Sequence, residues 1–122
     1  TAASNIARTY MRRLPKEGIP YWDFDSPEED RWVFDSSSAA IAASGLLELY
    51  QHTEEEWFKE SAFTLLTTLT ARYAIFDDST EGIISMGTVN YARNKHVNVP
   101  IIYGDYFYLE ALGKAQGMSG LF

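Results

Sequence analysis

A run of small and apolar residues behind a polar start is the feature that most limits how this chain can fold. Residues 39–47 are alanine, isoleucine, serine, glycine and leucine only. A helix over this run is apolar or small on every side, and a helix that is apolar all round is buried all round. Asp35 is a favoured N-cap residue, and serines occupy the first turn at 36–38. We predict an internal helix over residues 35–50 that begins at Asp35.

Segments before and after this helix also have helical spacing. Residues 1–14 carry apolar side chains on one helical face and arginines mostly on the other. Residues 53–73 repeat that amphipathic layout, and Thr53 and Glu56 have the spacing of a capping box. A final helix with little charge is expected over residues 107–116, opened by residues 103–106.

Amphipathic and buried helices therefore alternate along the chain. The order outer, inner, outer, inner predicts an all-α fold built from two helical hairpins, a layout typical of repeat architectures. Two such hairpins leave an apolar flank on their inner helices, which has to meet further hairpins. The chain also starts without methionine and directly in a helical pattern, which indicates a piece of a longer protein.

Composition argues against several classes of function. The chain has no cysteine, which excludes disulfides and thiolate metal sites. This slightly favours a cytoplasmic location, although exported proteins can lack cysteine too. Two histidines without ligand spacing, and no glycine-rich phosphate loop, predict neither a metal nor a cofactor. A net charge of -7 argues against nucleic acid as a partner. No apolar run approaches the roughly 20 residues that span a bilayer, so no membrane partner is expected.

Polar residues gather where the two inner helices begin. Asp35 starts one of them, and Tyr103 and Asp105 start the other. Each start follows a loop rich in aromatic or amide side chains. The loop before Asp35 contains Trp22, and the loop before Tyr103 contains Asn90. Helix N-termini present free N–H groups and the positive end of the helix dipole, which suit an anionic ligand.

The second of these loops also concentrates positive charge. Arg93, Lys95 and His96 lie there in an otherwise acidic chain, so a carboxylated ligand would meet complementary charge. Each candidate residue also has a structural explanation. The aspartates at the helix starts are suited to capping, Trp22 to packing against its aromatic neighbours, and the basic residues to a solvated loop.

Three segments, taken in order, carry a family resemblance. Residues 21–24, 35–49 and 103–112 closely resemble the C-terminal part of the unsaturated glucuronyl hydrolases (glycoside hydrolase family 88), with matching order and spacing. The resemblance implies an (α/α) toroid of six helical hairpins. Residues 1–122 would be about the last third of that single catalytic domain. The missing N-terminal hairpins of the same protein and an unsaturated uronic-acid oligosaccharide are the partners that it implies.

Members of that family remove the unsaturated uronic acid that polysaccharide lyases leave at the non-reducing end of an oligosaccharide. They hydrate its C4=C5 double bond, and the product rearranges and releases the glycosidic bond. The aspartates that act in this reaction lie on inner helices of the N-terminal half of the toroid. We therefore expect no catalytic residue in this chain and no activity from the chain alone.

The resemblance also implies candidate binding residues. The family binds the substrate carboxylate and sugar with the loop just before the last inner helix. In this chain that loop begins at Gly87. Thr88 lies near a family serine that contacts substrate. Together with the residues at the helix starts, the candidate substrate-binding set is Thr88, Asn90, Trp22, Asp35, Tyr103 and Asp105.

Two other hypotheses stay open. A non-catalytic helical interaction module would dock a partner on the apolar flank, and it would melt cooperatively as a monodisperse monomer. The other hypothesis is a related toroid hydrolase that acts on unsaturated rhamnogalacturonan ends, although its C-terminal motifs fit residues 103–106 less well.

Overall fold

The computed structural model describes residues 1–119 and contains four α-helices: α1 (Ala2–Arg13), α2 (Ser36–Thr53), α3 (Glu56–Thr68) and α4 (Ile102–Ser119). A 3-10 turn covers Glu28–Asp30, and a π-helical turn, Leu69–Tyr73, continues α3. Within residues 1–119 the extended segments pair only through isolated bridges. The predicted all-α fold is confirmed.

Helix α1 is amphipathic and lies on the outside, as expected. Thr1 caps it, since its hydroxyl accepts the Ser4 N–H at 3.2 Å. The helix ends where Leu14 becomes extended before Pro15, because a residue before proline is disfavoured in the α region. Its inner face packs against the core with Tyr10 and Met11.

Helices α2 and α3 form a hairpin whose connection differs from the predicted capping box. Glu54 takes a left-handed conformation and donates its N–H to Tyr50 O at 2.8 Å, which ends α2. Thr53 belongs to α2; its hydroxyl donates to Leu49 O and accepts from Glu55 N, not from Glu56 N. The capping-box prediction is wrong because Thr53 terminates one helix instead of starting the next.

The core lies between α2 and its two neighbours, α3 and α4. Helices α2 and α4 run parallel: Ser37 lies near Gly104 at one end, and Lys114 Nζ donates to Ser44 Oγ at 2.9 Å further along. The completely buried side chains include Ala39, Ala40, Ala43, Leu47, Phe58, Ala62, Leu69 and Ala111.

The prediction that α2 is buried on every side is only partly correct. Ala43 and Leu47 are buried, but Ile41 is 43% exposed. Helix α4 likewise exposes Ile102 and Leu109. Two hairpins enclose only part of each inner helix, so both keep an open apolar face. Among the described helices, none has the length and apolarity needed to cross a bilayer.

The last helix begins earlier than predicted. It starts at Ile102, so residues 103–106 lie within its first turns instead of preceding it. Ahead of it, residues 74–101 contain no helix. Within this segment, Ile84 pairs with Ala74 in an isolated bridge. The long segment thus crosses from α3 to the start of α4.

Candidate functional site

The first turns of α2 and α4 meet at one end of the molecule. A Cβ placed on Gly104 would lie only 3.1 Å from Ser37 Cβ, which is closer than most side-chain contacts allow. A glycine at position 104 therefore allows the two helix starts to approach closely without displacing Ser37. The N-termini of α2 and α4 therefore lie side by side at the same end of the molecule, and both favour negative charge.

Asp35 caps α2 and also binds the loop beside it. Its Oδ1 accepts the backbone N–H of Ser37 at 3.2 Å, together with the Ser37 hydroxyl. The same oxygen accepts the backbone N–H of Thr88 at 3.2 Å. The cap predicted from the sequence is confirmed, and it also holds the loop over the helix start.

Thr88 lies in this loop, and its hydroxyl is bonded to the backbone on both sides of the rim. Its side chain is only 3% exposed. Its hydroxyl donates to Phe34 O at 2.7 Å and accepts from Asn98 N at 3.1 Å. A hydroxyl has one proton to donate, so this group is already committed to the backbone. Burial and these two backbone bonds give the hydroxyl a positioning role in the loop, while a contact between Thr88 and the substrate stays a prediction.

Thr88→Val is expected to lower the free energy of unfolding by about 2 kcal/mol, since it leaves Phe34 O and Asn98 N without their partner. Thr88→Ser keeps the hydroxyl and should lose much less. Urea denaturation of the two variants measures the difference. Equal losses in both would contradict the role assigned to the hydroxyl.

At the start of α4, Asp105 has a structural role and Tyr103 is accessible to a ligand. Asp105 Oδ1 accepts the Ile84 N–H at 2.9 Å, which fixes the strand-like segment to the helix. Tyr103 is 41% exposed. Partial burial, and then the negative charge of Asp35, raise the pKa of Tyr103 above its ordinary value. Like an ordinary tyrosine, it is protonated at neutral pH and its hydroxyl is able to donate a hydrogen bond.

Asn90 organises the tip of the loop. Its backbone exchanges both hydrogen bonds with Lys95, at 3.0 and 2.8 Å, and its Oδ1 accepts the Arg93 N–H at 3.1 Å. The turn that results exposes Arg93, Lys95 and His96. Asn90 thus positions the positive charges, while its side-chain oxygen is already bonded within the turn.

Trp22 contacts Tyr91 in this turn. It is 36% exposed, and its ring meets Tyr91 edge-to-face with centroids 6.0 Å apart. The structure thus brings the aromatic loop and the basic loop together, as the sequence suggested.

Two residues of the site were not predicted from the sequence. Asn98 accepts the Phe34 N–H and donates to Trp32 O, both at 2.9 Å. Met86 has a φ of 68°, a left-handed conformation that is rare for a large side chain and costs about 1–3 kcal/mol. Its carbonyl accepts the Ser36 N–H at 2.9 Å. The only signal in the sequence was the asparagine at position 98, because asparagine tolerates the left-handed backbone conformation, which Asn98 adopts.

The rim, defined here as the starts of α2 and α4 with residues 86–98, has the chemistry of a binding surface. Among residues 1–119, acidic, histidine and cysteine side chains form no group of three able to hold a metal ion. An exposed tyrosine, Tyr103, and exposed cations suit an anionic, hydroxyl-rich ligand.

Comparison with solved structures identifies the fold. The crystal structure of the unsaturated glucuronyl hydrolase from Bacillus sp. GL1 matches with a TM-score of 0.85 and 35% identity, over 96% of this chain and 32% of that one. An unsaturated glucuronyl hydrolase specific for heparin matches with a TM-score of 0.87 and 30% identity, over 96% of this chain and 33% of that one. The fold is therefore an incomplete (α/α) toroid, as predicted.

Sequence comparison gives the same family. An unsaturated glucuronyl hydrolase from Formosa agariphila is 40% identical over 120 residues, which are 95% of this chain and 30% of the relative. No family model matches the chain. The chain is a homologue of the unsaturated glucuronyl hydrolases, which confirms the predicted resemblance, and it spans about a third of the length of the curated relatives that it matches.

Proposed function

We propose that this chain forms part of the substrate-binding end of a glycoside hydrolase of the unsaturated glucuronyl hydrolase class. The observation that carries the proposal is the rim: two parallel helix starts and the loop over them form one polar surface, in a chain 40% identical to such an enzyme. The reaction is hydration of the C4=C5 bond of a non-reducing-end unsaturated uronic acid, whose product rearranges and releases that sugar.

The substrate class fits the charges at the rim. His96 lines a cavity with Ile102 and Tyr103 at the start of α4. Arg93 and Lys95 are exposed in the same loop, and their positive charge attracts a carboxylate. Tyr103 supplies an accessible hydroxyl for a sugar oxygen. Solved structures similar to this chain include complexes with dGlcA-Glc-Rha-Glc and with dGlcA-GalNAc6S. Asp35, Asp105, Asn90 and Thr88 contribute by holding this surface in place, and Trp22 borders it.

The proposal assigns residues 1–122 to one toroid domain whose other hairpins come from the same protein. The open apolar faces support it, because Ile102 is 84% exposed and Ile41 and Leu109 are exposed as well. Contiguous exposed apolar surface normally marks an interface. The further hairpins would cover these faces and carry the catalytic aspartates.

The test follows the ultraviolet absorbance of the C4=C5 bond in unsaturated disaccharides from chondroitin and heparin lyases. We expect no loss of absorbance with the 122-residue chain and a steady loss with a protein that also contains the other hairpins.

In that longer protein, Tyr103→Phe should raise KM several-fold, whereas Tyr106→Phe, at a neighbouring exposed tyrosine, should not.

Three outcomes would count against the proposal. A longer protein that leaves every such disaccharide unchanged would favour the interaction module. Loss of absorbance only with unsaturated rhamnogalacturonan ends would favour the related toroid hydrolase. Activity of the 122-residue chain alone would contradict the assignment of catalysis to the other hairpins.

A further inference from the structure

Two exposed indoles contact one tyrosine, Tyr91, in the loop of the rim. Trp32 is 54% exposed, and its ring centroid lies 5.6 Å from that of Tyr91 at an interplanar angle of 88°. Trp22 meets the same tyrosine at an angle of 71°. Three aromatic rings from two distant parts of the sequence therefore form one partly exposed surface, which we call the aromatic patch.

Hydrogen bonds hold the aromatic patch in place before any ligand arrives. The Tyr91 hydroxyl donates to Asp30 Oδ1 at 2.8 Å. The Trp22 backbone N–H donates to Val33 O at 2.8 Å, and Trp32 O accepts from the side chain of Asn98. Preorganised groups lose little entropy when a ligand binds, and aromatic side chains offer a large contact area for few rotatable bonds.

The position of the aromatic patch links it to the rim. Trp32 lies three residues before the N-cap Asp35. Asn98, which holds Trp32 O, also accepts the Phe34 N–H. The backbone of residues 32–35 and the side chain of Asn98 therefore connect the aromatic patch directly to the start of α2.

Charge selects the kind of sugar that suits this surface. The loop that carries both tryptophans also carries exposed Asp23, Glu28 and Glu29, and Asp30 lies under the tyrosine. These carboxylates repel a second anionic sugar, and they accept hydrogen bonds from neutral hydroxyl groups. Apolar ring faces of an uncharged pyranose fit exposed indoles, with a few polar groups at the edge to orient them.

We propose that Trp22, Trp32 and Tyr91 form an outer subsite that binds an uncharged pyranose ring of a longer oligosaccharide, beyond the unsaturated uronate. This inference rests on the proposed function and adds a preference for longer chains with neutral sugars. The aromatic patch acts in binding only and takes no part in bond cleavage.

Direct binding to the 122-residue chain tests the subsite without requiring activity. The probe is cellotetraose, a neutral β-linked tetrasaccharide, added to protein whose helical circular dichroism has been verified. The readout is intrinsic fluorescence from the three tryptophans; Trp57 packs elsewhere, under the Arg8 guanidinium, and gives a constant background. We expect a saturable change with an affinity on the order of 1 mM.

Variants assign the change to the aromatic patch. Trp32→Ala should weaken binding about tenfold, and Trp22→Phe should reduce the fluorescence response. Phe76→Ala removes a more exposed aromatic ring outside the patch, 80% exposed against 54% for Trp32, and should leave the affinity unchanged. All three positions are exposed, so the variants should keep the helical dichroism.

Several results would overturn the inference. One is the absence of any saturable change in the folded protein, and another is full binding by Trp32→Ala. Tighter binding of a sulfated tetrasaccharide than of cellotetraose would show that Arg93 and Lys95, and not the rings, select the ligand. The absorbance assay for hydration is independent of these measurements, so failure of the subsite and failure of the proposed function are distinguished.

Discussion

Asp35→Ala is expected to lower the free energy of unfolding by about 3 kcal/mol. Loss of an aspartate N-cap costs about 1 kcal/mol. The same carboxylate oxygen also accepts the Thr88 N–H, and leaving this partly buried donor without a partner costs roughly 1–3 kcal/mol more. For a chain of this length the melting temperature should fall by roughly 10 °C.

Hydrogen exchange shows whether the loss is local as proposed. The amides of Ser37 and Thr88 should both exchange faster in Asp35→Ala, because one oxygen protects both. Asp35→Asn keeps an acceptor oxygen and should lose less than half as much stability. Asp77 is the matched control: it accepts a backbone N–H in an exposed loop, so Asp77→Ala should change stability by less than about 0.5 kcal/mol. Equal effects at the two aspartates would refute the bridging role of Asp35.

Gly104→Val is expected to destabilise the chain by about 3 kcal/mol. The Cβ alone would approach Ser37 Cβ to 3.1 Å and Ser37 Cα to 3.4 Å, and the valine methyl groups add volume in the same gap. Overpacking of this kind costs about 1–3 kcal/mol and occasionally more. The start of α4 would move away from α2, which would widen the rim. Thermal melting followed by circular dichroism measures the loss.

Gly113 provides a matched control on the same helix. A Cβ there meets nothing within 4 Å, so Gly113→Val should be neutral or slightly stabilising, since valine has a better helix propensity than glycine. Gly104→Ala should lie between the two variants. If Gly104→Val melted like Gly113→Val, the close approach would not be what requires a glycine at position 104.

Sequence reasoning worked where the determining contacts are local. The cap at Asp35 follows from residues within three positions of it, and the helix behind it follows from a continuous small and apolar run. The start of α4 was missed for the opposite reason. Gly104 is a poor helix former by itself, and its presence in the first turn is explained only by Ser37, which is 67 positions away.

The site shows the same division. Resemblance to a family directed attention to Thr88 and Asn90, and both lie in the loop at the rim. Their hydrogen bonds, however, run to Phe34, Asp35 and within a tight turn. These long-range partners depend on the packing of the whole hairpin pair, so the sequence alone could not show that both residues hold the loop in place.

The π-helical turn after α3 limits how this chain can change in length. The Ala74 N–H bonds to Leu69 O at 2.8 Å, five residues back, so the turn holds one residue more than an α-helix would. Removing one residue from this turn would rotate the residues that follow it by about 100° relative to α3. Tyr73, whose hydroxyl donates to Glu17 O at 2.7 Å, would then lose its contact with the segment after α1. Insertions and deletions are therefore expected to be tolerated in the exposed residues 77–81 and rejected between 69 and 73.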